Sequence, residues 1–565
     1  MHSNTSRRTF VKGLAAGGLL GGLGLWRTPV WAVTSPGEPQ VLAGTDFDLF
    51  IGETPVNITG NPRTAMTING GIPGPLLRWR EGDTVTLRVK NKLNADTSIH
   101  WHGILLPANM DGVPGLSFHG IEPGGMYVYQ FKVRQNGTYW YHSHSGLQEQ
   151  SGVYGPLVID AKEPEPFQYD RDYVVMLTDW TDEDAVDLMK TLKKQSDYYN
   201  YNKPTVGDFI HDVSEKGWGS TVADRKMWAE MKMNPTDLAD VSGATYTYLM
   251  NGQAPNSNWT GVFRPGEKLR LRFINGSAMT YFDVRIPGLK MTVVAADGLH
   301  VKPVSVDEFR IAVAETFDVI VEPTEAAYTL FAQSMDRTGF ARGTLAAKAG
   351  LSAPIPPLDP RPLVTMDDMG MGGMDHGSMA GMDHSAMAMP GMQSHPATEN
   401  NNPLVDMQAM TTAPKLDDPG LGLRNNGRRV LTYSDLRSTF EDPDGREPSR
   451  TIELHLTGHM EKFAWSFNGV KFSDAEPVRL KYGERVRVVL VNDTMMTHPI
   501  HLHGMWSDLE DENGEFMVRK HTIDMPPGSR RSYRVTADAL GRWAYHCHLL
   551  YHMEMGMFRE VRVEE

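Results

Sequence analysis

Three copies of one strand pattern run through this chain of 565 residues and constrain its fold more than any other feature. Each copy has an Asn-Gly pair, then a second glycine, and then an asparagine nine residues after that glycine. Between the second glycine and the asparagine, apolar and polar residues alternate, which is the period of a half-buried β-strand. The copies are Asn69-Gly70 with Gly82 to Asn91, Asn251-Gly252 with Gly266 to Asn275, and Asn468-Gly469 with Gly483 to Asn492. A repeat of this kind predicts three copies of one β-unit.

The predicted fold is all-β, because many short alternating segments separated by Gly and Pro turns are typical of β-sandwiches and barrels. The three repeats predict domains at 40–165, 168–348 and 428–565. Helix is expected only around 182–234, where charged and apolar residues mix without strict alternation. The middle copy has no His-x-His motif and no cysteine, so a spacer role is predicted for it.

Residues 1–32 have the features of a twin-arginine export signal. Arg7-Arg8 is followed by an apolar run of Gly, Ala and Leu at 13–25, and a cleavage site is predicted after Ala32. The alternative is a transmembrane anchor, which we disfavour because the run is too short and too rich in glycine. No other run is long and apolar enough to span a membrane. The segment therefore predicts a periplasmic protein exported by the twin-arginine pathway.

The composition narrows the classes of partner. A formal net charge of -14 argues against nucleic acid and anionic lipid surfaces. One cysteine excludes an internal disulfide framework and leaves a thiol that needs its own explanation. The chain also has 33 methionines and 20 histidines, and this combination indicates soft-metal chemistry.

The single cysteine lies in the motif His546-Cys547-His548, which is followed by His552 and Met557. A thiolate, imidazoles and a thioether are the ligands of a blue-copper site. Neighbouring residues on a strand face opposite sides, so the two histidines flanking Cys547 cannot bind the same metal as its thiolate. We expect them to point at a second metal group.

Three more histidine motifs are available for that second group: His100-Trp101-His102, His142-Ser143-His144, and His498 with His501 and His503. On a strand, His-x-His puts both imidazoles on one face, about 7 Å apart. The alternative is that these are core or surface histidines that bind no metal. Their equivalent spacing argues against it, since Pro123-Gly124 precedes His142 by the same 19 residues that separate Pro527-Gly528 from His546. Ten histidines, one cysteine and one methionine are enough to bind four copper ions.

These motifs resemble those of the multicopper oxidase superfamily, and the similarity covers all three repeats. The export signal and a methionine-rich linker make the chain similar in particular to the copper-resistance protein A family. The resemblance implies three cupredoxin-like Greek-key β-sandwich or barrel domains. It also implies four coppers, with these ligands: type 1, His498, Cys547, His552 and axial Met557; type 2, His100 and His501; type 3, His102, His142 and His548 for one ion and His144, His503 and His546 for the other.

The resemblance further implies an oxidase that takes electrons singly at the type 1 copper and reduces O2 to water. Cys547 is covalently continuous with His546 and His548, which gives the electron a short route between the sites. Asp111, eleven residues after His100, corresponds to an acid that supplies protons in this family, although it could be only a turn residue. Three functions remain open: oxidation of Cu(I) in copper resistance, oxidation of phenols as in a laccase, and copper sequestration with little turnover. Other periplasmic or outer-membrane copper-resistance proteins are expected partners.

Residues 350–427 differ from the rest of the chain, because prolines flank a stretch in which methionine and glycine interleave. With almost no branched or aromatic residues, this stretch is expected to be a flexible linker without a core. Met-Asp-His occurs in it twice, and thioethers prefer Cu(I) whereas Asp and His can hold Cu(II). The candidate sites for extra copper are Met374, His376, Met379, Met382, His384 and Met387. The alternative is a linker whose methionines have no function.

Overall fold

The computed structural model describes residues 40–372 and 392–565. The predicted export signal and the six candidate copper-binding residues of the linker lie outside these ranges. Strands dominate the described part, which confirms the all-β prediction. No helix within it is long and apolar enough to cross a membrane.

Domain 1 is a sandwich of two sheets. One sheet has the strand order β3-β2-β5-β7 and the other β1-β4-β9-β8-β6. Its core lies between them and is rich in aromatic side chains, among them the buried Trp79 and Trp101. The strands are β1 Val41–Ala43, β2 Asp46–Val56, β3 Arg63–Ile68, β4 Leu76–Arg80, β5 Thr84–Asn91, β6 His100–His102, β7 Met126–Lys132, β8 Gly137–His142 and β9 Tyr154–Asp160.

Domain 2 has a six-stranded sheet, β11-β10-β13-β18-β15-β16, and a five-stranded sheet, β12-β20-β19-β14-β17. The strands are β10 Arg171–Trp180, β11 Thr247–Met250, β12 Trp259–Val262, β13 Leu269–Asn275, β14 Phe282–Arg285, β15 Met291–Ala296, β16 Leu299–Val306, β17 Glu308–Ile311, β18 Thr316–Val321, β19 Ala327–Ser334 and β20 Phe340–Ala346. Three helices lie between β10 and β11, as expected for 182–234: α1 Ala185–Lys194, α2 Val206–Lys216 and α3 Trp218–Met231. Asp184 caps α1 by accepting from two backbone N–H groups, and a Thr205/Asp208 capping box begins α2.

Domain 3 repeats the strand order of domain 2. Its sheets are β22-β21-β24-β29-β26-β27 and β23-β31-β30-β25-β28. The strands are β21 Arg450–His459, β22 Ala464–Phe467, β23 Val478–Lys481, β24 Arg485–Asn492, β25 His498–Leu502, β26 Ser507–Glu510, β27 Phe516–Lys520, β28 Thr522–Met525, β29 Arg530–Thr536, β30 Gly541–Cys547 and β31 Phe558–Glu564, with one short helix, α4 Leu550–Glu554. Single 3-10 turns occur at Ala108–Met110, Ala397–Glu399, Tyr433–Asp435 and Phe472–Asp474.

The repeated asparagines have the same structural role in each domain. The first asparagine of each copy adopts a positive φ of 50–52° and is followed by a glycine with positive φ, which is the backbone that a tight I′-type turn requires. The closing asparagine at the end of β5, β13 or β24 donates from Nδ2 to two backbone carbonyls that the adjoining connections present. The sequence repeat therefore marks, in each domain, one tight turn and one buried asparagine that hydrogen-bonds two backbone carbonyls.

The described flanks of the 350–427 segment differ from the expected linker without a core. Val364 and Met369 are buried on one side of it, and Met407 and Ala409 on the other. Val364, Met369 and Met407 belong to the same hydrophobic core as the domains, and the two flanks also meet, because the Gly370 carbonyl accepts from the N–H groups of Met410 and Thr411.

Candidate metal centre

Two pairs of neighbouring strands carry the predicted ligands. In domain 1, β6 pairs with β8 so that His100 lies opposite His142. In domain 3, β25 pairs with β30 so that His501 lies opposite His546. Rings from the two domains stack across the interface: His100 on His503 and His102 on His501, each with centroids 3.8 Å apart. The four histidine motifs thus meet in one buried place between domains 1 and 3.

The cysteine cluster consists of Cys547, His498 and His552, all fully buried. Cys547 Sγ lies 3.5 Å from His498 Nδ1 and 3.9 Å from His552 Nδ1, and the two nitrogens are 3.1 Å apart. Both imidazoles therefore present the same ring atom to the thiol. Met557 of the same chain is buried. Its backbone carbonyl accepts a hydrogen bond from the Cys547 N–H at 3.1 Å.

The outer nitrogens of this cluster have fixed partners. His498 Nε2 lies 2.7 Å from the Thr494 hydroxyl, and His552 Nε2 lies 2.7 Å from Asp240 Oδ2. Trp465 stacks on the His552 ring with centroids 3.8 Å apart. Such partners hold the ring orientation and tautomer of a metal-binding histidine.

Two groups of three histidines lie on the other side of Cys547. Histidine cluster A is His144, His503 and His546, whose Nε2 atoms approach one another at 3.3 and 3.0 Å. Histidine cluster B is His102, His142 and His548; in it, Nε2 of His142 and His548 are 3.3 Å apart. The His102 ring lies 4.9 Å from that of His548, centroid to centroid. His546 and His548 both contact these histidines and not the cysteine cluster, in agreement with the alternation expected around Cys547, and each belongs to a different cluster.

His102 faces cluster B with a different atom from its neighbours. Its Nε2 lies 3.2 Å from Nδ1 of His521, whereas its Nδ1 is buried without a hydrogen-bond partner. A ligand bond from His102 would therefore use Nδ1.

His100 and His501 complete the predicted set. The Nε2 of each is buried and has no hydrogen-bond partner. Their Nδ1 atoms are held by backbone carbonyls, at 2.8 Å from Asp111 O and 2.6 Å from His521 O. The Asp111 carboxylate is also buried, with Oδ2 2.8 Å from His503 Nδ1 and Oδ1 3.3 Å from His100 Nδ1. The structure thus places Asp111 against two predicted ligands, within a turn that follows Met110.

Sequence reasoning missed three residues that contact this centre. Glu149 Oε2 lies 2.6 Å from His142 Nδ1, and Asp240 of domain 2 contacts His552. His521 contacts both His102 and His501. A glutamate seven residues after a predicted ligand offers a weak local signal. Asp240 offers none, because it lies 312 residues from its partner.

Burial controls the protonation of the centre. It lowers the pKa of His102, His142 and His501 far below the ordinary value, and the pKa of His546 to about 3. Burial also raises the pKa of the Cys547 thiol well above its usual range. These four imidazoles are thus neutral and able to donate lone pairs, while the thiol must release its proton on binding a metal.

The donor set fits copper. Three unpartnered, buried ring nitrogens, on His100, His102 and His501, have lost water without gaining a protein partner. Leaving such atoms unpaired costs about 1–3 kcal/mol each, so a cation between them would offset a real penalty. Imidazole and thiolate are the donors that copper prefers.

Models of the multicopper oxidase family match residues 51–164, 171–349 and 445–565. The chain belongs to the multicopper oxidase family, and it is an oxidoreductase of that kind. Within the family it is similar to copper resistance protein A.

The chain is 80% identical to the copper resistance protein A homolog of Pseudomonas syringae pv. tomato, over 100% of both chains. It is 73% identical to copper resistance protein A of Escherichia coli, over 99% of both. Among solved structures, Fet3p, a multicopper oxidase that functions in iron import, matches 93% of this chain and 91% of its own, with a TM-score of 0.65 and 20% identity. That likeness concerns the fold, and it supports the predicted cupredoxin-like domains.

Proposed function

We propose that this protein is a periplasmic oxidase of Cu(I) that transfers the electrons to O2 and serves copper resistance. Within this proposal the cysteine cluster and Met557 would hold the type 1 copper. Clusters A and B would hold the type 3 coppers, and His100 and His501 the type 2 copper. The observation that carries it is the meeting of all ten predicted histidines and Cys547 in one centre, where every one of them is buried except the half-buried His144.

When bound, copper supplies one-electron exchange at the cysteine cluster and reduction of O2 at the histidines. The chain's own residues connect the two places, because Cys547 is bonded through its backbone to His546 of cluster A and His548 of cluster B. Asp111 would bind and release protons at Oδ1, the carboxylate oxygen that faces the His100 ring. Glu149 holds His142 with Nε2 directed at His548.

The choice of Cu(I) as substrate has three supports. Relatives that are 73–80% identical over nearly the whole chain carry the name copper resistance protein A. In addition, the outer nitrogen of His552 contacts the buried carboxylate of Asp240, which would attract a cation toward this edge of the cluster. Met460 lies in the turn whose Phe463 contacts the His552 ring, and its thioether is the type of donor that Cu(I) prefers.

Oxygen consumption by the copper-loaded protein tests the proposal, with Cu(I) and a simple phenol as separate substrates. We expect fast uptake with Cu(I), and slow uptake with the phenol unless copper is added. The Cys547→Ser variant is the control, since any uptake that it retains is spontaneous oxidation of Cu(I). Fast uptake with phenol alone would instead indicate a laccase, and no uptake despite bound copper would indicate sequestration.

We also propose that the Met-Asp-His units collect extra copper for this reaction. The experiment replaces Met374, His376, Met379, Met382, His384 and Met387 by serine in the full chain. Cu(I) uptake and Cu(I) oxidation should fall more than phenol oxidation. An equal effect on both substrates would reduce the segment to a connection between domains.

Export is tested separately from catalysis. With Arg7 and Arg8 both replaced by lysine, we expect the protein to remain in the cytoplasm when expressed in a bacterium with the twin-arginine pathway. Periplasmic recovery of this variant at the level of the unchanged protein would contradict export by that route.

A further inference from the structure

A second buried group of metal-ligating side chains shares no residue with the ten histidines already described. It joins the stretch 393–409, where the chain returns after the methionine-rich segment, to the six-stranded sheet of domain 3. We call it the acid–histidine cluster and define it as His395, Glu399, His455 and Asp493. His455 lies on β21, and Asp493 directly follows β24.

The four side chains converge on one point. Asp493 Oδ2 lies 2.6 Å from His455 Nδ1 and 3.2 Å from His395 Nδ1. The Glu399 carboxylate approaches the same two nitrogens, with Oε2 3.3 Å from His395 Nδ1 and Oε1 3.6 Å from His455 Nδ1. Ligand atoms about 2.0–2.2 Å from a tetrahedral ion are about 3.3–3.6 Å apart. Three of the four distances are close to that range, and the Asp493–His455 pair would have to separate on binding an ion.

The opposite nitrogen of each imidazole already has an acceptor. His395 Nε2 lies 3.0 Å from the Ala409 carbonyl, and His455 Nε2 lies 3.2 Å from Glu453 Oε1. An acceptor at Nε2 holds a proton there, so a metal that displaces the proton from Nδ1 would meet a lone pair directed into the cluster. This arrangement of an outer acceptor behind each ring is the one that metal-binding histidines use.

The carboxylates are oriented in the same way. Asp493 Oδ1 accepts from the Ala409 N–H at 2.8 Å, which turns Oδ2 toward the two rings. Glu399 Oε2 accepts from Gln408 at 3.1 Å, while Oε1 is buried with no hydrogen-bond partner. The side chains of Glu399 and Asp493 are 0% exposed, that of His455 1% and that of His395 13%.

Two buried carboxylates leave a charge of -2 that must be balanced locally. Two protonated imidazoles or one divalent cation would do so. Burial lowers the pKa of His395, but the carboxylates of Asp493 and Glu399 outweigh it and raise that pKa to about 10. Protonation would leave Glu399 Oε1 without a hydrogen bond in the observed arrangement, whereas an ion at the point of convergence would bind it.

We propose that the acid–histidine cluster is a further metal site, separate from the four-copper centre, that binds one divalent first-row transition ion through His395, His455, Asp493 and Glu399. Two nitrogens and two oxygens are borderline to hard donors, so they suit Cu(II) or Zn(II) rather than Cu(I). Among the divalent ions Cu(II) binds such donors most tightly. Bound metal fastens the returning stretch 393–409 to domain 3.

The test uses the full chain carrying four copper ions and no excess Cu(II), which would compete for the cluster, and Co(II) is the added probe. Co(II) with two nitrogen and two oxygen ligands gives visible d–d absorption, so it reports the site without any measurement of turnover. We expect one tightly held Co(II) per chain, which added Zn(II) displaces. His395→Ala, at the most exposed ligand, should weaken Co(II) binding by at least about 100-fold, since even the loss of an outer partner costs 10–100-fold.

Two further variants secure the interpretation. Glu399→Gln keeps the size of the side chain and should also weaken Co(II) binding, while blue absorption from Cys547 remains as proof of folding. His300→Ala is the matched control, because His300 pairs with Glu165 in domain 2, outside the cluster. Unchanged Co(II) binding in both cluster variants, or equal loss in the control, would overturn the proposal and leave a network of ion pairs.

Discussion

Domains 2 and 3 have the same strand order in both of their sheets, yet only one of them contributes predicted copper ligands. In domain 3, β25 begins at His498 and the neighbouring β30 ends at Cys547. The corresponding strands of domain 2, β14 and β19, have Phe282 and Gln333 along the same ladder. The fold therefore provides the positions, and the side chains at them decide what the domain does.

Domain 2 fills the equivalent region with a buried ion cluster. Asp283 on β14 is fully buried and lies 2.7 Å from Arg310 and 2.6 Å from Arg337. Burial alone would raise the pKa of Asp283, but the two guanidinium groups lower it below its usual value. The strand that carries predicted metal ligands in domain 3 corresponds to one in domain 2 whose buried carboxylate pairs with two guanidinium groups.

Domain 2 is nevertheless more than the predicted spacer. Asp240 contacts His552 of the cysteine cluster, and Asp297 accepts from the backbone N–H groups of His521 and Thr522 at 3.1 Å. Both acids orient domain 3 residues that adjoin the metal centre. The comparison teaches that a domain without ligands can still fix the ligands of its neighbour.

The largest effect is expected where domain 3 differs most from domain 2. Cys547→Ser removes the one thiolate, so blue absorption should vanish and oxidase turnover should fall by more than the 10–100-fold typical of outer partners. Serine is close in size to cysteine, and the fold should survive, as far-ultraviolet circular dichroism would check. Full activity in this variant would refute electron entry at Cys547.

The matching change in domain 2 should affect stability instead. Asp283→Asn leaves two buried guanidinium groups without their shared carboxylate, and breaking such a pair costs about 3–5 kcal/mol. Unfolding in urea should move to lower concentration while the blue absorption per folded molecule stays the same. If Asp283→Asn lost the blue absorption at unchanged stability, the β14 and β19 pair of domain 2 would affect the metal centre instead of the stability of the fold.

The pH dependence of this effect has a defined sign. Because the folded pKa of Asp283 is lowered, its contribution to stability is fully present above the unfolded pKa near 4 and is lost as pH falls through the folded pKa. The stability difference between the unchanged protein and Asp283→Asn should therefore shrink below about pH 4. A difference that grows on acidification would contradict this assignment.

An intermediate effect is expected at the contact between the two domains. Asp240→Asn keeps the shape but removes the charge beside His552, so Cu(I) oxidation should fall about 10–100-fold with blue absorption retained. Asp237→Asn is the control: burial raises the pKa of Asp237 well above its usual value, so the asparagine replaces an already neutral group. Equal losses in both variants would attribute the effect to packing rather than to charge.

The smallest effect belongs to the surface contact between the same domains. Lys232 pairs with Glu461 at 2.6 Å, but both side chains are more than half exposed. Lys232→Ala should change the free energy of unfolding by no more than about 1 kcal/mol and turnover by less than twofold. A larger effect on either, measured by urea unfolding and oxygen uptake, would mean that the surface pair also couples the domains.

Much of the fold follows from local sequence signals. The alternation between the second glycine and the closing asparagine predicts β5, β13 and β24, because side chains on a strand alternate between core and solvent. The helices of domain 2 fall within 182–234, where that alternation is absent. The expectation of a linker without a core differs from the described flanks of that segment. Met369 and Met407 are buried there by contacts with the domains, which the composition of the segment does not reveal.

The sequence by itself determined the donor chemistry: His-x-His spacing, one cysteine between two histidines, and alternation that sends Cys547 and its neighbours to different sides. These are properties of residues adjacent in the chain. Tertiary structure decided which nitrogen of each imidazole faces inward, that Asp240 lies behind His552, and that His395 meets His455 and Asp493. Those contacts join residues up to several hundred positions apart, and only the packing of buried surfaces brings them within hydrogen-bond distance.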